Sequence, residues 1–233
     1  CIRDSKFILP ALRDGVRAVG ADIVFLQEVT GAHTRHASRV ADWPAASHYE
    51  FLADTIWPQY AYGRNAVYPS GDHGNAILTK FPIERHLNHD VSIAGPERRG
   101  LLHCELRAPG FDRPLHVICA HLGLAENHRR KQLEMMCAII RNDVPPDAPI
   151  IVAGDFNDWR RHAHRILKDG ADLDEVFLTA NGRSARTFPA KFPVLALDRI
   201  YVRGVASHRP SPLPKHPWAS LSDHAPLAAD LVL

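Results

Sequence analysis

The stretch Ile150-Ile151-Val152-Ala153-Gly154-Asp155-Phe156-Asn157-Asp158-Trp159 limits what this chain can fold into more than any other. Ile150 to Ala153 are apolar without alternation, which suits a strand buried on both faces. Gly154 permits a turn that a bulkier residue would resist. Asp155 and Asn157 then fall at i and i+2, positions that face the same way on an extended backbone. A carboxylate and an amide thus sit side by side at the end of a rigid element. That pairing suits a hard divalent cation and a phosphate oxygen. Taken alone, Gly-Asp-Phe-Asn equally suits a turn or a helix N-cap, so its meaning depends on what the rest of the chain supplies.

The same grammar recurs. Ile8, Leu12, Val16 and Val19 follow helical spacing ahead of Gly20, a glycine C-cap. Asp22 to Leu26 then forms a short apolar strand that ends in Gln27-Glu28. A second helix is expected over Thr34 to Ala46. Residues 54–73 carry aromatics, Pro, Gly and Asn without periodicity and read as a long loop; residues 86–99 read as polar and irregular. Strands are expected at Asn75 to Thr79, at Gly100 to Arg107 and at Pro114 to Ala120. The last two make a hairpin closed by His121-Leu122. Leu133, Met136, Cys137 and Ile140 form the stripe of an amphipathic helix, stopped by Pro145-Pro146. His162 to Leu167 suits a short helix and Val194 to Val202 a strand carrying Asp198. The proline-rich stretch 208–218 predicts an irregular connection, and Ser222-Asp223-His224 precedes a last strand from Leu227. Strands outnumber helices and lie close in sequence. The expected fold class is α/β (α+β), with mixed, mainly antiparallel sheets and helices outside, in one domain over 1–233.

Composition sets few limits. Hydrophobic residues make up 45% of 233, enough for a core. A net charge of +2 and a pI of 8.4 neither require nor forbid nucleic acid. No apolar run approaches the roughly 18–20 residues of a membrane span. Cys104, Cys119 and Cys137 lie in apolar segments, without C-x-x-C spacing. They read as buried thiols of a reducing, cytoplasmic compartment. The chain opens at Cys1 inside a polar stretch, which suggests further residues upstream. GxSxG, P-loop and GxGxxG signatures are absent.

Gln27-Glu28, Ala120-His121, Asp155 with Asn157, Asp198 and Asp223-His224 all place polar groups at the ends of apolar strands. Strand ends converge at one edge of a sheet sandwich, so these groups can share a pocket. Glu28 and Asp223 suit a magnesium ion, which takes oxygen ligands and keeps several waters. Asp155 can orient or deprotonate a water, and Asn157 can donate to a non-bridging phosphate oxygen. His224, aligned by Asp198, can act as a general base or an electrostatic stabiliser. His121 can donate to a phosphate oxygen or protonate a leaving group.

Gln27-Glu28, Gly154-Asp155-Phe156-Asn157, Leu197-Asp198-Arg199-Ile200 and Ser222-Asp223-His224, in that order, resemble the endonuclease/exonuclease/phosphatase (DNase I-like) superfamily. Ala120-His121-Leu122 is similar to the catalytic-histidine strand of its DNase I and phosphatase branches. The resemblance implies a four-layer α/β sandwich with two facing sheets. It implies a metal-binding role for Glu28 and Asp223, with Mg2+ (or Mn2+) as cofactor. It implies catalytic roles for His121, Asp155, Asn157, Asp198 and His224. The implied activity is metal-dependent hydrolysis of a phosphodiester substrate, either nucleic acid or a small-molecule or lipid phosphodiester. A family strand ending in a metal-ligating Asn normally precedes Glu28. Nothing in Cys1 to Pro10 matches it, so that strand is expected before residue 1. From a different class, a catalytically silent fold that binds a partner remains the alternative.

Weaker candidates stand beside these. Asn75 begins a strand where the family places substrate-facing residues, and Arg99 can reach a phosphate or belong to a solvated basic turn. Asp198-Arg199 also suits a local ion pair. Trp159 with Arg160 and Arg161 offers stacking plus charge or a half-buried surface aromatic. His33-His36 and His162-His164 read as surface pairs, and His128 to Lys131 as the wet start of a helix.

Overall fold

A computed structural model describes residues 2–3, 6–34, 40 and 43–233. Its first half runs β1 (Ile2–Arg3), β2 (Lys6–Phe7), α1 (Leu9–Val19), β3 (Ile23–His33), α2 (His48–Ala53), β4 (Gln59–Tyr68), β5 (Gly71–Thr79), β6 (Ile83–Asp90) and β7 (Gly100–Leu106). Then follow β8 (Leu115–His121), α3 (Glu126–Asp143), β9 (Ile150–Asp155), α4 (Ala163–Ala171), β10 (Asp174–Glu175), α5 (Val176–Asn181), β11 (Asp198–Arg203), β12 (Ser207–Ser211), α6 (Trp218–Leu221) and β13 (Ala228–Val232).

One sheet has six strands in the order β10-β11-β9-β8-β7-β6, and a second has three, β3-β5-β4. The β8–β9 pair is parallel, because α3 carries the chain back across the sheet between them. The other pairs of these two sheets are antiparallel. Side chains sort by strand parity. Leu102, Cys104, Val117 and Cys119 face inward and meet Phe25, Ala61 and Ile77 of the smaller sheet. Leu101, Ile118, Ala120 and Val152 face outward, under Leu133, Met136 and Ile140 of α3 and Leu167 of α4. On the far side, Val24, Leu26 and Leu78 pack beneath Leu9, Val16, Leu52 and Trp218. Helices, sheet, sheet and helices therefore form the four layers of the DNase I-like sandwich.

β9 is buried along its whole length, as its unbroken apolar run predicts. Gly154 does not end the strand. It lies within β9 at φ +146°, where a Cβ would come 1.9 Å from the Ala120 carbonyl oxygen of β8, so only glycine lets the two backbones approach. α1 ends as expected, on Gly20 in the left-handed region at φ 68°.

Several expectations fail. The presumed loop 54–73 contains β4 and the start of β5, and the presumed irregular stretch 86–99 contains the second half of β6. Both β4 and β6 are edge strands with mostly exposed or half-exposed side chains. Such strands need no apolar period and show none. Pro210 sits within β12, in a two-stranded ladder where a missing donor is tolerated. Arg129 is not wet but 2% exposed: its Nη1 donates to the Gly123 and Leu124 carbonyls, and its Nη2 is buried without a hydrogen-bond partner. The helix expected over Thr34 to Ala46 falls mostly outside the described residues, as does His36. Among the described residues, no helix is long and apolar enough to cross a membrane.

Candidate active site

Three neighbouring strands deliver the centre of the site. His121, the last residue of β8, stands opposite Asp155, the last of β9. Asp155 in turn stands opposite Asp198, the first residue of β11. Register alone lines an imidazole and two carboxylates along one sheet edge. His224, on the segment before β13, completes the row: its Nδ1 donates to Asp198 Oδ2 at 2.8 Å. His121 Nε2 lies 3.6 Å from Asp155 Oδ2.

Local bonds fix these groups. Asp155 Oδ1 accepts the Asn157 backbone N–H at 2.8 Å, an Asx-type turn that holds the carboxylate against its own backbone. Asn157 adopts φ 49°, and its Nδ2 donates to the Leu122 carbonyl at 2.9 Å. Leu122 N–H donates to the Asp155 carbonyl at 2.9 Å, so β8 and β9 are tied beyond their ladder. Thr187 Oγ1 accepts from the Leu197 and Asp198 N–H groups, and the Phe188 ring lies 5.0 Å from that of His224. Thr187 and Phe188 carry no sequence signal; only the fold brings them here. Asp158, also unassigned by sequence, caps α4 by accepting from the His162 and Ala163 N–H groups.

The electrostatics separate the titrating groups. Burial, then the Asp198 charge, raises the Asp155 carboxyl to about 6. Burial, then the nearby Arg99 and His224 charges, lowers His121 to about 3. For His224, burial acts to lower the value. The hydrogen bond to Asp198 and the charges of Asp198, Asp155 and Asp223 outweigh it, lifting His224 to about 9. At neutral pH His121 is therefore neutral, His224 charged and Asp155 largely ionised.

The remaining expected residues fall around this row. Glu28 sits on a bulge of β3, where the register shifts between Leu26 and Val29, in the left-handed region at φ 54°. Its neighbour Gln27 donates from Nε2 to Cys119 Sγ at 3.3 Å, which brings the bulge against β8 two residues before His121. Asp223 is exposed beside His224. Neither the Glu28 nor the Asp223 carboxylate has a hydrogen bond or ion pair among the described residues. Arg99 is held by Glu97 at 2.8 Å and by the Leu122 carbonyl at 3.2 Å, close enough to act on both His121 and Asp155. Asn75 is fully buried and clamps the two sheets: its Nδ2 donates to Gly100 O at 2.9 Å and Cys119 O at 3.2 Å. Two carbonyl partners fix the amide orientation, and Asn75 Oδ1 is left without a partner. Trp159 is half exposed with Arg160 over its ring at 4.7 Å. Of the surface histidines, His162 pairs with Glu126 at 3.1 Å, whereas His164 stacks on Tyr201.

The donor set fits a divalent cation. One ligating atom each from Asp155, Asp198 and His224 lies within 4.8 Å of the others. Asp198 and His224 already bind each other, so within this group the open donor is the Asp155 carboxylate, a hard oxygen ligand of the kind magnesium and manganese favour.

A four-layer sandwich with carboxylates and imidazoles along one sheet edge has the architecture of the DNase I-like fold. The chain belongs to the Endonuclease/Exonuclease/phosphatase family, whose sequence profile matches residues 10–224; its members are generally hydrolases acting on phosphoesters. It is 56% identical over 228 residues to "Uncharacterized protein YbhP" of Escherichia coli (strain K12), covering 98% of this chain and 90% of that one. Among solved structures, an endonuclease/exonuclease/phosphatase from Beutenbergia cavernae superposes with a TM-score of 0.71 at 19% identity. That match covers 96% of this chain but only 65% of the other, so this chain spans just under two thirds of its length. Truncated Caenorhabditis elegans TDP2 superposes with a TM-score of 0.70 at 19% identity, covering 97% of this chain and 90% of that one.

Proposed function

We propose that this protein is a divalent-metal-dependent phosphodiesterase that uses Mg2+ or Mn2+ and attacks its substrate in line with water. The observation that carries the proposal is the row His121, Asp155, Asp198 and His224, in which one histidine is held neutral and the other charged beside an ionised carboxylate. Glu28 and Asp223 would hold the cation with Asp155 beside them. When bound, the ion supplies charge neutralisation at the phosphoryl and leaving oxygens.

The chain's own residues do the rest. Asp155 accepts the proton of the attacking water as the water oxygen bonds to phosphorus and the bond from phosphorus to the leaving oxygen breaks. Asn157 spends one amide N–H on Leu122 and keeps the second for a non-bridging oxygen. His224, kept charged by Asp198, stabilises the growing negative charge and can return a proton to the leaving oxygen. Arg99 adds fixed positive charge behind His121.

The test is a hydrolysis panel with Mg2+, Mn2+ and chelator: bis-p-nitrophenyl phosphate, plasmid DNA, RNA, sphingomyelin and inositol polyphosphates. Metal-dependent cleavage supports the proposal, and the preferred substrate separates nucleic acid from lipid and small-molecule phosphodiesters. Chelator-insensitive cleavage would overturn the metal-dependent mechanism. No cleavage of any substrate, with binding retained, would favour the silent binding fold.

A further inference from the structure

A second group of metal-ligating side chains lies on the helix-covered face of the six-stranded sheet, away from the catalytic edge. It consists of His89 on β6, His103 on β7 and Asp143 at the end of α3, with ligating atoms within 4.8 Å of one another. His103 is 5% exposed. His89 Nε2 is buried without a hydrogen-bond partner and lies 3.8 Å from Asp143 Oδ2. Buried polar atoms are rarely left unpaired, so this nitrogen is open to a ligand. His89, His103 and Asp143, flanked by Arg85 and Glu105, border a cavity of about 10 Å³, roughly the space of one water-sized sphere.

The outer contacts have the form a metal site requires. His103 Nε2 and His116 Nδ1 are 2.9 Å apart. If His103 donates to His116, its other nitrogen keeps a lone pair for a cation, the arrangement in which a neighbour sets a ligand's tautomer. Arg85 is exposed and faces Glu105 at 3.6 Å, and its charge also reaches His89 and His103, where it favours the neutral, ligating imidazole. Tetrahedral coordination at about 2.0–2.1 Å needs ligand atoms about 3.4 Å apart. Asp143 sits at a helix end with its side chain 45% exposed, and can close the difference.

We infer that His89, His103 and Asp143 form a second metal site, for a borderline first-row divalent ion such as zinc, with His116 orienting His103. Two imidazoles and one carboxylate suit such an ion and not magnesium. His116 and His121 are five residues apart on β8, on the order of 17 Å at strand rise, so the ion plays no part in the hydrolytic edge. Its effect is structural: it pins the edge strand β6 to α3.

The test strips the full chain of metal and titrates it with Zn2+ against a chromophoric chelator, beside His89→Gln and Asp143→Asn. Both substitutions fall on partly exposed side chains and leave the core intact. The wild type should bind one zinc ion more than either variant and gain thermal stability from it, which the variants do not. His116→Gln should weaken that ion roughly 10- to 100-fold. Co2+ in its place should give the visible absorption of a tetrahedral site, lost in His89→Gln. Hydrolysis supported by Mg2+ should be unchanged in His89→Gln and Asp143→Asn. Equal zinc stoichiometry and affinity in the wild type and both variants would overturn the inference.

Discussion

His224 donates to Asp198 at 2.8 Å, and Asp198 occupies the ladder position opposite Asp155. One carboxylate therefore serves two neighbours with opposite effect. It helps to hold His224 charged, up to about 9, and helps to push Asp155 up to about 6. The pair of values defines a pH window in which Asp155 is ionised and His224 still carries its proton. Activity should rise through the lower value and fall through the upper one. Asp198→Asn removes the charge with little change of shape, so the alkaline limb should move to lower pH. The rate should also drop by roughly 10²- to 10⁴-fold, the usual range for a positioned acid or base. The kcat/KM–pH profile of both proteins, with the His224 titration followed by NMR, checks this; an unmoved alkaline limb in Asp198→Asn would rule out the pairing as the cause.

Asp155 should show activity and stability pulling apart. Its carboxyl value is raised, so the folded state favours the protonated form. The sign follows: above about 6 the ionised group burdens the fold. Asp155→Asn keeps an oxygen for the Asn157 N–H and removes the charge. Activity should be almost abolished, while the melting temperature without metal at neutral pH should hold or rise. Thermal denaturation alongside the hydrolysis assay decides it, and a large loss of stability would contradict the electrostatic reading.

The site was legible in sequence wherever a polar group ends an apolar strand. Asp155, His121 and Asp198 fall into line because β8, β9 and β11 are central strands, and apolar runs mark central strands well. Their mutual order was not legible, because register is set by pairing between segments far apart in the chain. β4 and β6 were missed since edge strands carry no burial signal. Asn75 was expected to face substrate, but its clamp between two sheets depends on Gly100 and Cys119, which no local pattern links to it. Arg129 was read from its charge as solvated, whereas carbonyls at the start of α3 bury it.

The buried, neutral His121 makes a prediction about acid. Its folded value of about 3 lies below its ordinary 6.5. The stability tied to its neutrality is complete above 6.5 and is lost as pH falls toward 3, because the unfolded chain takes up the proton first. His121→Gln should therefore lose less stability on acidification than the wild type across that interval. Urea melts at a series of pH values measure the difference, and parallel losses in the two proteins would refute the assignment.

Asn75 should matter for the fold as well as for the site. Asn75→Ala removes both N–H groups that tie the Gly100 and Cys119 carbonyls of the six-stranded sheet to β5. Each lost hydrogen bond costs about 0.5–1.5 kcal/mol, so chemical denaturation should show a loss of about 1–3 kcal/mol in all. Asn75→Asp should be worse, because it turns an ionisable carboxylate toward two carbonyl oxygens in a buried site. A stable Asn75→Ala protein would mean that water replaces the amide.

Glu28 tests the proposed cation site through its backbone. A non-glycine residue at φ 54° carries roughly 1–2 kcal/mol of local strain, and its exposed carboxylate has no partner among the described residues to offset it. Strain of this kind gathers where function requires a side chain to be held in place. Glu28→Gln keeps the strain and the shape but loses the charge; it should weaken Mg2+ binding and activity with stability unchanged. Glu28→Gly also loses the carboxylate, yet relaxes the backbone, so it should be as stable as the wild type or more stable while equally inactive. Isothermal titration with Mg2+ and thermal melts of the two variants distinguish a metal-holding glutamate from a structural one. If Glu28→Gln binds Mg2+ as tightly as the wild type, the ion is held by Asp155 and Asp223 without it.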